Sequence, residues 1–171
     1  MKKAIIIHAW GSASGEHWYQ KEKNILEQMG YQVYVPNMPK TNNPVLSEWL
    51  QVIDNYRPDK DTIIMGHSLG VPTILRFLEN SDTKIDKAIL VAGFTKDLGF
   101  DETRNFVEEP FSWDKIKTKS RKFVVLNQKN DPWVPYEAGQ ELANNLGVVI
   151  IGVDGNNHFD TMDIDLINKE L

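Results

Sequence analysis

The sequence predicts an α/β fold of three layers, with about six parallel strands flanked by helices on both faces. Three observations carry that expectation. Short runs rich in β-branched and other apolar residues recur at 4–9, 31–35, 62–65, 88–92, 122–126 and 148–151. Most of the segments between them place apolar residues at helical spacing. Strand and helix alternate along the chain, the pattern of a parallel sheet whose right-handed crossovers send helices to both faces.

Each element has its own signals. The first strand, 4–9, ends in the loop Trp10-Gly11-Ser12-Ala13-Ser14-Gly15, and a helix is expected over 16–28. Trp18, Ile25, Leu26 and Met29 form its expected inner face, and Gly30 is its stop. The second strand, 31–35, ends at Pro36. Asn43-Pro44 reads as a cap and first-turn pair for a helix carrying Val45, Trp49, Leu50 and Ile53. Asp59-Lys60-Asp61 turns the chain into the third strand, and a helix over 69–78 follows, with Pro72 in its first turn, where a missing N–H costs nothing. After the fourth strand a long connection, 93–121, is expected to hold a loop or small lid and a crossover helix near 113–118. Pro135 opens a helix with Ala138, Leu142 and Ala143 inward and Gly147 at its end. A terminal helix is expected over 160–170.

Composition narrows the function classes. The 171 residues suit one domain, 1–171, and there is no repeat or interdomain linker. A net charge of −5 argues against nucleic acid, which needs a basic face. The one basic cluster, 115–122, reads as a solvated helix face. The absence of cysteine excludes disulfides, a cysteine nucleophile and thiolate metal sites. Lys2-Lys3 precede an apolar run that stops at His8, too early for a signal peptide, and no run approaches the ~18 residues of a membrane span. The expectation is a cytoplasmic protein with no membrane partner.

Chemistry concentrates after the third strand, in Gly66-His67-Ser68-Leu69-Gly70. A strand–turn–helix carrying G-x-S-x-G is a nucleophile elbow: the turn is too tight for side chains at the two glycines, and the serine stands at its apex. In an open α/β sheet, functional groups gather at the carboxyl ends of the strands. Beyond strand five stand Asn130-Asp131-Pro132, and beyond strand six Asn156-Asn157-His158-Phe159. Ser68, Asp131 and His158 are therefore the candidate nucleophile, acid and base. A serine hydroxyl needs a neighbouring base, imidazole suits that role near neutral pH, and a carboxylate fixes its tautomer. Asp97 and Asp101 are reserve acids, ahead of Asp154 and Asp160. His67 reads as packing or support, and His17 as a surface or helix residue. Asp160, Asp163 and Asp165 near His158 match no calcium-loop spacing. The loop 11–15 is neither a dinucleotide fingerprint nor a Walker loop. The oxyanion is expected to meet the backbone N–H of Leu69 and a second N–H from the loop after strand one, Trp10 ahead of Ala9. Trp10, Phe94, Trp113 and Trp133 are candidates to line an apolar pocket.

These residues carry a resemblance. His8-Ala9-Trp10 with Trp18, Asn37-Met38-Pro39, Gly66-His67-Ser68-Leu69-Gly70 with Pro72, Asp131-Pro132-Trp133-Val134-Pro135 and His158-Phe159 resemble the retinoblastoma-binding-protein-9-like, or YdeN-like, small serine hydrolases of the α/β-hydrolase superfamily. The resemblance runs over nearly the whole chain. It implies a reduced α/β-hydrolase fold lacking the usual first strands, with little or no cap. It implies a Ser68-Asp131-His158 triad and esterase activity on small acyl substrates, with no cofactor. The superfamily often has His-Gly after strand one, whereas this chain has His8-Ala9, so the methyl of Ala9 bears on the oxyanion geometry. The expected function is a carboxylesterase-like serine hydrolase working through an acyl-enzyme. The alternatives are a protein-binding module on the same fold and an acyltransferase using the same site.

Overall fold

The computed structural model describes residues 2–161 and 165–171. Six strands alternate with the helices: β1 Lys3–Ile7, β2 Gln32–Tyr34, β3 Thr62–His67, β4 Ile85–Val91, β5 Ser120–Gln128 and β6 Ile150–Val153. The helices are α1 Tyr19–Gln28, α2 Leu46–Asn55, α3 Gly70–Asn80, α4 Trp113–Ile116, α5 Tyr136–Leu146 and α6 Asp165–Asn168. The sheet order is β2-β1-β3-β4-β5-β6, and every neighbouring pair is parallel. From β1 the chain steps one way to β2 and then back past β1 to β3. Their carboxyl ends therefore flank the point where strand order reverses, the usual place for a ligand crevice in such sheets.

The period-two alternation of β1 divides the core. Ile5 and Ile7 join Trp49 and Ile53 of α2, Leu75 and Leu78 of α3 and Leu142 of α5 on one face. Ala4 and Ile6 join Trp18, Leu26 of α1 and Ile167 of α6 on the other. All of these are fully or almost fully buried, and each large aliphatic side chain so removed from water contributes roughly 1.5–3 kcal/mol. This is the three-layer arrangement the alternating sequence predicts.

Several boundaries differ from expectation, each for a local reason. Helix α1 begins at Tyr19, not Glu16, because His17 takes a left-handed φ of 51° and the Glu16 carboxylate accepts from Ser12 Oγ (2.9 Å) and Ala13 N–H (3.1 Å). Met29 is the C-cap of α1 and half exposed, not part of an inner face. Asn43 does not cap α2. The N–H of Leu46 is instead met by Asn105 Oδ1, 59 residues later, at 2.9 Å, and Val45 is exposed. Strand β6 begins two residues late, since Val148 N–H closes back on Ala143 O and Val149 faces solvent. Of the expected helix 160–170, Asp165–Asn168 is helical, and residues 162–164 lie outside the described residues. The basic run is not one helix face. It spans the end of α4 and the start of β5, where Lys117, Lys119, Arg121 and Lys122 pair with Asp114, Asp82, Asp86 and Glu170.

The connection from Gly93 to Ser112 contains a 3-10 helix, Asp101–Phe106. Arg76 of α3 ties it down. Its guanidinium donates to the carbonyls of Phe106 (3.1 Å), Glu109 and Pro110, pairs with Glu79 at 2.6 Å and lies over the Phe111 ring.

Candidate active site

The elbow is built from two close approaches. A Cβ on Gly66 would lie 2.7 Å from the Gly70 carbonyl group, and one on Gly70 only 2.5 Å from the Ile7 oxygen. Neither position has room for a side chain. Between them Ser68 adopts φ 53°, uncommon for a non-glycine residue, and its N–H donates to Val91 O at 2.9 Å. The strained residue is the one presented at the mouth of the sheet, at the N-terminus of the 11-residue helix α3.

Asp131 follows β5. Its Oδ1 accepts the N–H groups of Trp133 and Val134, both at 2.9 Å, so the turn begun by Asp131-Pro132 holds the carboxylate still. His158 Nδ1 lies 2.7 Å from Oδ2 and 2.9 Å from Oδ1. A carboxylate only accepts, so Nδ1 carries the hydrogen, and in the neutral ring Nε2 is the nitrogen with the lone pair. Desolvation pushes the Asp131 carboxyl up. The bonds from His158, Val134 and Trp133 outweigh it, leaving the pKa below the ordinary aspartate value. Ser68 and His158 line the same pocket.

The other acids are engaged elsewhere. Asp97 and Asp101 pair with Arg104, Asp154 with Lys129 and Asp160 with His17. Asp163 lies outside the described residues. Among the described residues no three His, Cys, Asp or Glu side chains are grouped to hold a metal ion, and no helix is long and apolar enough to cross a membrane.

The loop after β1 shows which N–H groups are available. Ala9 N–H donates to the Tyr19 hydroxyl at 3.1 Å, which removes the alternative oxyanion donor. Ala9 O accepts from His8 Nδ1 at 2.7 Å, while His8 Nε2 accepts Met38 N–H at 2.8 Å. Burial holds the His8 pKa below the ordinary histidine value, consistent with this neutral ring. The Ala9–Trp10 peptide is planar, so anchoring its carbonyl also orients its N–H. Among the described residues neither Trp10 N–H nor Leu69 N–H has a hydrogen-bond partner, and both residues line the pocket. Ala9 is not among the residues with left-handed φ, so its methyl group imposes no backbone strain.

The pocket measures about 390 Å³. Of the four candidate aromatics, Trp10, Phe94 and Trp133 line it and Trp113 does not. Trp113 packs on Phe111, ring centres 5.3 Å apart, beside a separate depression, because α4 lies beyond the Arg76 anchor. The connection instead contributes Leu98, Phe100 and Thr103. Phe100 bridges Trp10 and Trp133, at 5.5 and 6.3 Å between ring centres. Ser12, Glu16, His17 and Asp160 add polar groups to the lining, so His17 is a pocket residue. Gln128 was not foreseen. It receives Asn157 N–H at 3.1 Å and donates to Asn157 Oδ1 at 2.9 Å, bracing the loop that carries His158. No local pattern marks it, since its partners lie 29 residues away.

Known proteins agree with this architecture. The chain is 32% identical over 163 residues to YdeN of Bacillus subtilis, covering 92% of this chain and 86% of that one. It is 30% identical to the serine hydrolase RBBP9 of Rattus norvegicus, covering 92% and 87%. The crystal structure of the B. subtilis ydeN gene product superposes with a TM-score of 0.92 over 99% of this chain and 98% of that one, at 30% identity. Est1E of Butyrivibrio proteoclasticus, at 17% identity and a TM-score of 0.78 over 99% and 86%, shares the fold. The serine hydrolase family model matches residues 4–163, and the chain belongs to that family.

Proposed function

We propose that this hydrolase cleaves small acyl esters through a Ser68-His158-Asp131 triad and an acyl-enzyme. Ser68 Oγ attacks the ester carbonyl carbon while His158 Nε2 takes its proton. Asp131 orients the ring and stabilises the imidazolium that forms. The N–H groups of Leu69 and Trp10 receive the negative charge on the carbonyl oxygen. His158 returns the proton to the departing alkoxide. It then activates a water that attacks the acyl carbon, releasing the acid and restoring Ser68. Trp10, Phe100 and Trp133 surround an apolar acyl group.

The observation that carries this reading is the 2.7 Å contact from His158 Nδ1 to Asp131, facing a pocket shared with an elbow serine. Labelling with a fluorophosphonate, read by intact mass, tests it. One adduct is expected on the wild type and none on Ser68→Ala or His158→Ala. Asp131→Asn is expected to lower kcat on p-nitrophenyl acetate by a factor on the order of a thousand or more. A folded wild type that takes no label at neutral pH would sink the proposal.

A further inference from the structure

Beneath the elbow runs a hydrogen-bond chain that the reaction itself does not use. Tyr19, in the first turn of α1, and His67, the last residue of β3, are both fully buried. The Tyr19 hydroxyl accepts Ala9 N–H at 3.1 Å and lies 2.7 Å from His67 Nδ1. His67 Nε2 lies 2.8 Å from the backbone oxygen of His158.

Donors and acceptors can be assigned without ambiguity. A carbonyl oxygen only accepts, so His67 Nε2 carries the hydrogen and Nδ1 is an acceptor. The Tyr19 hydroxyl must then donate to Nδ1, which leaves its lone pairs for Ala9 N–H. Burial pushes the Tyr19 phenol up, and desolvation followed by the neighbouring His158 holds His67 well below the ordinary histidine range. Both groups stay neutral and the direction of the chain does not change. One end holds the loop that offers Trp10 N–H. The other holds the backbone of His158, which sits at a left-handed φ of 54° with Phe159 at 58° after it. The His67 ring also lies 4.9 Å from the His158 ring, and His67 is bonded directly to Ser68 in sequence.

We propose that Tyr19 and His67 are positioning residues: one buried chain, Ala9 N–H to Tyr19 to His67 to the His158 carbonyl, sets the oxyanion loop and the base loop relative to Ser68. The proposal rests on the serine-esterase reading above. It assigns the variable residue of this elbow a task that packing alone would not require, since a leucine would fill the space without linking the loops.

The test uses the full chain, p-nitrophenyl acetate and four variants, with melting temperature as the control for folding. Wild-type turnover that disappears in Ser68→Ala secures the underlying reading. If no Ser68-dependent turnover or fluorophosphonate adduct is found, that reading falls and takes this proposal with it. Given turnover, Tyr19→Phe is expected to lower kcat about tenfold to a hundredfold with KM within about threefold, as for a displaced oxyanion donor. His67→Gln places an amide N–H near the position of Nε2–H and is expected to stay within about fivefold of wild-type kcat, whereas His67→Leu falls as far as Tyr19→Phe. Wild-type kcat in Tyr19→Phe, a loss carried by KM alone, or equal losses in His67→Gln and His67→Leu would each overturn the positioning role while leaving the esterase intact. The Tyr19 variant and the His67 pair test opposite ends of the chain, so either decides the matter if the other fails to fold.

Discussion

At the scale of single residues, the site depends on groups whose protonation is set by what surrounds them. Asp131 is held ionised by three donors. Glu22 shows the opposite case. It lies fully buried on α1, and among the described residues neither its carboxylate oxygens nor the indole N–H of Trp18, one turn earlier, has a hydrogen-bond partner. Desolvation raises its pKa to about 7. The folded protein therefore binds this proton more tightly than the unfolded chain does. The associated stability is full below about pH 4.5 and is lost as pH rises through about 7. Glu22→Gln is expected to remove that slope and to be more stable than wild type at pH 8, by on the order of 3 kcal/mol. Urea titrations at pH 5 and pH 8 check it, and parallel pH dependence in the two proteins would refute it. Ser68, Asp131 and His158 stood out as candidates in the sequence because each lies beside a turn with its own local chemistry. Tyr19 and Gln128 were not, because their importance lies in partners far along the chain.

At the scale of elements, the elbow couples three of them. Gly66 lies against Gly70, and Gly70 against the Ile7 oxygen, so β1, β3 and α3 meet with no space for a methyl group. Gly70→Ala is expected to destabilise the fold by about 1–3 kcal/mol, since the obstructing atom is backbone and cannot rotate away. Thermal and urea unfolding measure this, and an unchanged midpoint would contradict the packing described. The strands were legible as apolar runs because the buried sheet needs them on both faces. Their ends were less so. Ile7 ends β1 because His8 and Ala9 turn to bond with Met38 and Tyr19, a preference no strand propensity records. The N-terminus of α2 was misplaced for the same reason: its cap, Asn105, comes from another part of the chain.

At the scale of the whole molecule, the β4–β5 connection decides the shape of the pocket. It has little regular structure, and it is held by the buried Arg76–Glu79 pair of α3 together with the carbonyls that Arg76 gathers. Arg76→Ala leaves Glu79 buried without its cation and is expected to cost about 3–5 kcal/mol, read as a lowered urea midpoint. Stability within about 0.5 kcal/mol of wild type would show that the pair is only peripheral. The same anchor explains why Trp113 lies apart from the pocket while Phe100 bridges Trp10 and Trp133. By itself the sequence determined the order of the elements, the parallel sheet, the serine elbow and the turns bearing Asp131 and His158. Each of these follows from residues within a few positions of one another: hydrophobic period, glycines at a tight turn, an Asp-Pro start. Only the tertiary structure decided which loop N–H groups are free, which aromatics share a pocket, and how Tyr19, His67, Arg76 and Gln128 join distant loops. Those outcomes depend on hydrogen-bond saturation and packing between segments 10 to 91 residues apart, which local sequence does not encode.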